Sequence, residues 1–262
     1  MKLLAYDTSS DILSAALYDG SKKIAEFRSA AFTRHSSTLA PALEKLLRDQ
    51  RMNLEQLDVL AVGLGPGSFT GLRVGITTAK IISYVCQLRI IGVPSLEAIA
   101  WKARDFEGEI AVILDAKKDK LYAGVYRFQN NKFRILRSPQ LVKIEALLKA
   151  NKVPRLFLGG GVNLYRDEIL RTKGCQISDT FENATPQASQ VAERALDLVK
   201  SKQWINPFFL EPLYLHPRDC NVTMRLTYDA KRHQVSHAQS SREDAAKHRR
   251  GIQTRLTDGA KR

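Results

Sequence analysis

Short apolar runs and longer amphipathic stretches alternate along the chain. The first run, Leu3 to Tyr6, ends at a polar turn that begins with Asp7, and further runs follow at 12–18 and 22–29. Asp19-Gly20 separates the last two runs and favours a tight hairpin, because glycine adopts the positive φ angles that such turns require. Short apolar runs between turn residues are typical of strands. The pattern therefore predicts three antiparallel strands at the start of the chain.

Helices and strands then alternate. Leucines spaced three and four residues apart share one side of a helix, and here they predict a helix whose core face is Leu39, Leu43, Leu46 and Leu47. The following segments predict a strand at 58–63, a long helix after it, a strand at 88–93 and a helix at 95–104.

The same order of elements restarts at residue 110. The pattern predicts strands at 110–115, 120–128 and 132–137, a helix at 143–150, a strand at 155–158 and a helix at 186–201 capped by Thr185. A constant offset aligns the two openings and pairs Asp7 with Asp115, Asp11 with Asp119, Leu13 with Leu121, Ala15 with Ala123 and Tyr18 with Tyr126. A repeat of such long period indicates duplicated lobes. We therefore expect a first lobe at 1–106, a second lobe at 107–224 and a tail at 225–262.

The most distinctive stretch runs from Gly63 to Ser83 and reads GLGPGSFTGLRVGITTAKIIS. Its glycine-rich turn opens into a helix that Ser68 or Thr70 can cap. The spacing matches neither the Walker loop nor the dinucleotide-binding pattern. Small residues recur every four positions and form one stripe on the helix: Gly67, Gly71, Gly75, Ala79 and Ser83. Another backbone can approach closely along such a stripe, and the periodicity leaves open whether it belongs to the same domain or to a partner.

The motif GPGSFTGLRVG and the apolar helix after it resemble the signature of the TsaB family, and the resemblance extends from Met1 to the EPLYL run at 211–215. That family supplies a small subunit for bacterial tRNA threonylcarbamoyladenosine synthesis. The resemblance implies an α/β fold of two duplicated RNase H-like lobes, the actin-like and sugar-kinase ATPase superfold. It also implies a non-catalytic subunit that binds and activates a TsaD-like catalytic paralogue. With a small TsaE-like ATPase, that paralogue transfers a threonylcarbamoyl group to the adenosine next to the tRNA anticodon.

In this family the subunit pairs with its paralogue through helices of the first lobe. The resemblance therefore places the partner interface on the small-residue stripe and the preceding helix, at His35, Leu39, Leu43, Gly67, Gly71, Gly75, Ala79 and Ser83. Without the paralogue we expect a homodimer through the same surface, because an exposed apolar patch rarely stays free. Contact with tRNA would then be indirect.

The same resemblance implies a nucleotide cleft between the lobes, lined by two polar turns and a glycine loop at Asp7, Thr8, Ser9, Asp115, Gly159, Gly160 and Gly161. The candidate cofactor is ATP or ADP with magnesium, bound here or by the partner subunits. Asp7 and Asp115 could hold magnesium through oxygen ligands. The alternative is that both carboxylates cap turns and that the three glycines form an ordinary loop.

Candidate catalytic chemistry is sparse in this sequence. Residues 1–224 hold two histidines, His35 and His216, without the HExxH spacing of a helical metal site, and no GxSxG motif occurs. We therefore predict no catalytic residue and no metal site. Three other hypotheses stay open: a small-molecule kinase or ATPase that uses the cleft, a metal-dependent peptidase, and a tRNA-binding module.

Charge supports the last of these hypotheses. The formal net charge is +14, from 41 Lys or Arg and 27 Asp or Glu, which favours contact with polyanions or acidic protein surfaces. Residues 225–262 hold ten Lys or Arg against four Asp or Glu and few core-forming side chains, so we expect disorder there. This tail would be either a basic arm on tRNA phosphates or an extension without a role.

Cysteine usage and hydropathy indicate a compartment. Cys86, Cys175 and Cys220 are widely spaced and form no CxxC pair, which fits a reducing environment. No leader-like N-terminus and no run of membrane-spanning length occur. We therefore expect a cytoplasmic protein without membrane association.

Overall fold

The computed structural model describes residues 1–31, 34–130, 132–148, 153–178 and 184–215, so the tail predicted at 225–262 lies outside the described residues. The first half contains β1 Lys2–Asp7, β2 Ser14–Asp19, β3 Lys22–Arg28, α1 His35–Asp49, β4 Val59–Gly63, α2 Phe69–Val85, β5 Arg89–Val93 and α3 Ser95–Trp101. The second half contains β6 Glu109–Asp115, β7 Leu121–Gln129, β8 Lys132–Val142, α4 Glu145–Leu148, β9 Arg155–Leu158, α5 Arg166–Arg171, β10 Cys175–Ile177 and α6 Ala188–Lys200. Short 3₁₀ turns are formed by Leu54–Gln56, Val162–Tyr165 and Pro207–Phe209.

The strands form two five-stranded sheets with the same topology. The first has the order β3-β2-β1-β4-β5 and the second β8-β7-β6-β9-β10. In each sheet the first three strands in sequence order pair antiparallel with one another. The fourth strand pairs in parallel with the first, and the fifth pairs in parallel with the fourth. Asp7 and Asp115 both end the central first strand of their sheet. The predicted α/β fold of two duplicated lobes is confirmed.

The helix α6 packs on the first sheet although it follows the second sheet in the chain. It contacts β1, β2, β4 and β5, and its apolar face is buried there through Val191, Ala192 and Ala195. The boundary expected at residues 106 and 107 therefore separates the two sheets, whereas the helix layer of the first lobe includes a segment from the predicted second lobe.

Two predicted helix caps had different outcomes. The hydroxyl of Ser68 accepts a 3.2 Å hydrogen bond from the Gly71 N–H and caps α2, as expected. Thr185 does not cap α6, which begins at Ala188 without a local side-chain cap. The N–H of Ala188, the first residue of α6, instead donates a 2.9 Å hydrogen bond to Ser14 Oγ on the first sheet. A distant residue thus supplies the acceptor that the local sequence was expected to provide.

The small-residue stripe faces the interior of its own lobe, although Gly67, which was expected on the helix, lies in the loop before α2. A Cβ atom added to Gly67 would lie 2.0 Å from the Ser9 carbonyl oxygen, and one added to Gly71 would lie 2.1 Å from the Thr8 carbonyl oxygen. On Gly75 it would lie 2.2 Å from Thr8 Oγ1. The turn after β1 therefore occupies the groove that the missing side chains leave.

This arrangement corrects the expectation of a partner helix along the stripe. Ala79 and Ser83 continue the stripe and are buried, and so are Leu39 and Leu43 of α1, in the core beneath α1 and α2. Their burial by the chain's own strands and turns leaves the opposite faces of α1 and α2 for any partner.

Candidate functional site

The outer face of α2 carries a cluster of exposed apolar side chains. Six of the eleven large apolar side chains that are exposed in the described part of the chain lie here or on the segment beside it. We call them the outer patch: Phe69, Ile81, Tyr84, Val85, Phe208 and Phe209, with exposures between 54% and 70%. Exposed apolar clusters of this kind mark interaction surfaces.

Residues 205–215, which we call the C-terminal strap, contribute the last two members of the outer patch. Pro207–Phe209 packs on α2. The rings of Tyr84 and Phe208 meet edge to face with centroids 5.5 Å apart. The outer patch is therefore continuous across both elements.

An apolar groove lies between α1 and α2. It has a volume of about 630 Å³, and its walls include Leu43, Leu47, Met52, Leu54, Ile82 and Cys86. Burial raises the pKa of the Cys86 thiol. A neutral thiol behaves as a small apolar group, so the groove is suited to apolar side chains.

A second cavity, of about 660 Å³, lies between the lobes where the two duplicated turns meet. It brings together three of the residues predicted for a cleft, Ser9, Asp115 and Gly160. Its other polar walls come from Ser10, Asp11, Ser68, Lys117, Tyr122 and Thr185. Its polar lining therefore combines hydroxyl groups with two carboxylates, Asp11 and Asp115, and one ammonium group.

Asp7 is buried behind this cavity and is fully hydrogen bonded. Its Oδ1 accepts bonds of 2.7 and 2.6 Å from the Ser9 N–H and Ser9 Oγ, and its Oδ2 accepts a 2.7 Å bond from Ser95 Oγ. A Cβ atom on Gly63 would lie 1.8 Å from Asp7 Oδ2, so that glycine makes room for the carboxylate. Burial raises the pKa of Asp7, and the hydrogen bonds from Ser9 and Ser95 oppose that rise.

Thr8 and His35 hold the turn after β1 in place. The hydroxyl of Thr8 donates 2.8 Å to the Gly71 carbonyl, and Thr8 is completely buried. His35 is the first residue of α1, and its Nε2 donates a 2.7 Å hydrogen bond to the carbonyl of Ser10. Both residues fasten the turn to a helix, which is a structural task.

Asp115 lies at the cavity with its carboxylate bound to a neighbour in the chain. The Lys117 N–H and Nζ donate to it at 2.7 and 2.6 Å, and these bonds lower the pKa of Asp115. Lys117, Lys118 and Asp119 all have φ between 52° and 65°, a left-handed run that turns the chain back into β7. Asp115 thus shapes this turn.

The glycine loop after β9 packs close to β6. Gly159 has φ +101°, and a Cβ atom there would lie 2.2 Å from the Ile113 carbonyl oxygen. The Gly161 N–H donates 3.0 Å to the same carbonyl. Of the three glycines, Gly160 lines the cavity and the other two serve the close approach of loop and strand.

The residues present do not fit a magnesium ion held between Asp7 and Asp115. Asp7 is 0% exposed and both its oxygens accept hydrogen bonds, while the Asp115 carboxylate is paired with Lys117. Magnesium requires accessible oxygen ligands in near-octahedral array. Within the described residues no group of three or more His, Cys, Asp or Glu side chains is placed to hold a metal ion.

Residues 29–206 match the family model described as TsaD, tRNA N6-adenosine threonylcarbamoyltransferase. A Bacillus subtilis (strain 168) protein, named tRNA threonylcarbamoyladenosine biosynthesis protein TsaB, is 34% identical over 82% of this chain and 94% of its own length. The chain belongs to the TsaB family. The Escherichia coli (strain K12) TsaB protein is 32% identical over 50% of this chain and 57% of its own length.

A solved structure shows the same fold as this TsaB-family chain. YeaZ from Pseudomonas aeruginosa superposes with a TM-score of 0.72 and 24% identity, covering 82% of this chain and 99% of that one. No helix among the described residues is both long and apolar enough to cross a membrane.

The TsaB-family signature GPGSFTGLRVG serves two surfaces at once. Its glycines Gly67, Gly71 and Gly75 admit the turn after β1, whereas Phe69 and Arg73 point to the outside of α2. Helical periodicity did not single out the outer patch. The sequence did contain one signal for this patch. α2 is apolar on nearly all its sides, which predicts that other elements bury more than one of them.

Proposed function

We propose that this chain is a non-catalytic subunit required for transfer of a threonylcarbamoyl group to the anticodon-adjacent adenosine of tRNA. It acts by binding and activating a TsaD-like catalytic paralogue, in a complex that includes a TsaE-like ATPase. The observation that carries this proposal is 34% identity over 82% of the chain with a protein named for that pathway. The buried, hydrogen-bonded state of Asp7 supports a structural role for the turn that the fold class associates with nucleotide.

The outer patch and the α1–α2 groove are the surface we assign to the paralogue. Ile81 and Tyr84 are each 58% exposed, and the groove beside them is apolar. Burying such side chains against a partner removes apolar area from water, the main favourable term in association. In the absence of the paralogue, the same surface pairs two copies of the chain.

Reconstitution tests this function. The full chain is mixed with the TsaD-like and TsaE-like proteins of the same organism, ATP, threonylcarbamoyl donor and substrate tRNA, and threonylcarbamoyladenosine is quantified by mass spectrometry. We expect product only when this chain is present. Product without the chain would contradict the proposal, as would turnover of a phosphoryl acceptor or peptide by the chain alone.

Ile81→Glu tests the surface in the same assay. A carboxylate at this position opposes apolar burial, so we expect complex formation and modified tRNA to fall together, by about tenfold or more. Leu170→Glu, at an exposed apolar residue of α5, is the matched control and should leave both readouts unchanged.

A further inference from the structure

The C-terminal strap is fixed to the first lobe. Leu210 is 1% exposed, and the N–H of Leu213 donates 2.8 Å to the carbonyl of Leu64. Leu64 lies in the loop between β4 and α2, directly before the signature helix. The strap is therefore held by a buried side chain and a backbone hydrogen bond at the base of α2.

Side chains of α2 hold the middle of the strap. Lys80 Nζ donates 3.4 Å to the Phe208 carbonyl, and the Tyr84 ring packs on the Phe208 ring. Phe208 and Phe209 nonetheless stay 68% exposed. Two large aromatic side chains are thus presented to solvent on a fixed backbone.

Arg73 joins the end of the strap to the start of α2. Its guanidinium lies 3.9 Å from the centre of the Phe69 ring, and its Nε donates 3.3 Å to Tyr214 Oη. The Phe69 and Tyr214 rings are 5.2 Å apart. The surface therefore has aromatic side chains at both ends of α2, and a cation lies beside those at its start.

We propose that α2 and the C-terminal strap form one docking surface, that Phe208 and Phe209 are its anchor residues, and that its occupant is an apolar surface with a carboxylate facing Arg73. The partner that carries this surface is the paralogue of the proposed function, on which this inference rests. Rigid aromatic side chains bind at low entropic cost and dominate many interfaces. The strap thereby gives the α2 interface a second, sequence-distant half.

Charge determines the chemistry of the occupant. In α2 the charged side chains are Arg73 and Lys80, both cationic, and Glu211 is the one carboxylate on the strap. Cations exceed anions on this surface, so a partner with carboxylates is complementary. Arg73 has five N–H donors, one of which binds Tyr214, and a carboxylate is the matching acceptor.

The chain's own tail is not the occupant that this surface favours. Residues 216–262 continue directly from the strap, and the part from 225 onward holds ten Lys or Arg against four Asp or Glu. Positive charge opposes positive charge at short range. The tail also has few apolar side chains to cover two phenylalanines.

A second copy of the chain is a poorer match than an acidic partner. In a two-fold contact each surface meets itself, so two cations and one carboxylate would face the same set. Like charges across an interface suppress pairing. An acid-bearing paralogue is therefore the occupant to which we commit.

The test uses the full chain with Phe208→Ala and Phe209→Ala combined, titrated against the TsaD-like paralogue by calorimetry. We expect the Kd to rise at least tenfold while the melting temperature stays unchanged, because both side chains are exposed. Ile135→Ala with Leu136→Ala on β8 is the matched control, since these residues are 39% and 49% exposed and lie on the other sheet. A change below twofold in the phenylalanine variant overturns the inference.

Comparison with Ile81→Glu separates this inference from the proposed function. If Ile81→Glu abolishes binding and the phenylalanine variant does not, the α2 interface stands and the strap inference fails. If neither changes binding, the surface assigned in the proposed function fails as well. Arg73→Glu should weaken binding at least tenfold and flatten its salt dependence, whereas Arg73→Lys should restore most of it. If the phenylalanine variant loses only self-association in sedimentation, the occupant is a second copy and the inference is overturned.

Discussion

The hydroxyl of Thr8 occupies the place that a side chain at Gly75 would need. A Cβ atom on Gly75 would lie 2.2 Å from Thr8 Oγ1, and that hydroxyl donates 2.8 Å to the carbonyl of Gly71 one turn earlier. The turn after β1 is thus seated against the back of the helix whose front we assign to the partner. Glycines of the signature serve the fold, and the exposed residues between them serve the surface.

Gly75→Val should therefore destabilise the protein itself. The added side chain overlaps Thr8, and we expect the free energy of unfolding to fall by about 3 kcal/mol, measured by urea denaturation. Thr77→Val, at an exposed position of the same helix, should change it by less than about 0.5 kcal/mol. Unchanged stability with lost binding of the paralogue would show instead that the stripe faces the partner.

The buried carboxyl of Asp7 should make stability depend on pH. Burial raises its folded pKa above the ordinary value of 3.8 despite the bonds from Ser9 and Ser95. A carboxyl with a raised folded pKa stabilises the fold fully below its unfolded pKa, and this contribution is lost as pH rises through the folded pKa. The free energy of unfolding of the wild type, relative to Asp7→Asn, should fall as the pH rises from about 4 toward neutral.

Urea denaturation of both proteins across that range measures the difference, and other titrating groups cancel in it. A difference that grows with pH would mean that Ser9 and Ser95 stabilise the carboxylate more than burial penalises it.

Removal of one member of the buried ion pair between Glu97 and Arg194 should strongly destabilise the protein. Glu97 is 1% exposed and Arg194 8%, with Nε and Oε2 2.8 Å apart, where α3 meets α6. Burial raises the pKa of Glu97, and the Arg194 guanidinium opposes that rise. Arg194→Met leaves the carboxylate buried without its cation, and we expect a loss of about 3–5 kcal/mol in chemical denaturation.

A double variant and a surface pair control this experiment. Glu97→Gln combined with Arg194→Met should recover part of the loss, because the carboxylate that then loses its cation is that of Asp197, which is exposed to water, and no buried charge is left unpaired. Arg48→Met, which removes an exposed pair with Glu44 on α1, should cost less than about 1 kcal/mol. Equal costs for the two single variants would refute the assigned role of burial.

Lys117 should control the titration of Asp115 at the interlobe cavity. Its ammonium and backbone N–H both bind the carboxylate and lower the pKa of Asp115. Lys117→Met removes the ammonium but keeps the backbone bond, so the pKa of Asp115 should rise toward its ordinary value in an NMR titration. Lys118→Met is the neighbouring control and should leave it unchanged; an unshifted Asp115 in the Lys117 variant would contradict the assigned pairing.

Local patterns predicted most of the elements and their order. Strands such as β1 and the hairpin at Asp19-Gly20 follow from apolar runs and turn chemistry within a few residues, and the Ser68 cap follows from its position before α2. The duplication was visible because Asp7 and Asp115 keep the same place in two equal openings. These features depend on residues that lie close together in the chain, so the sequence alone is enough to predict them.

The sequence by itself established the duplicated α/β architecture, the family and the shared face of Gly71 and Gly75. Only the folded chain shows that the turn at Thr8 fills that face, that α6 returns to the first sheet, and that Phe208 joins the outer side of α2. Helical periodicity tells which residues lie together but not which distant segment covers them. That choice depends on contacts between residues far apart in the chain, where packing and burial are shared among several elements.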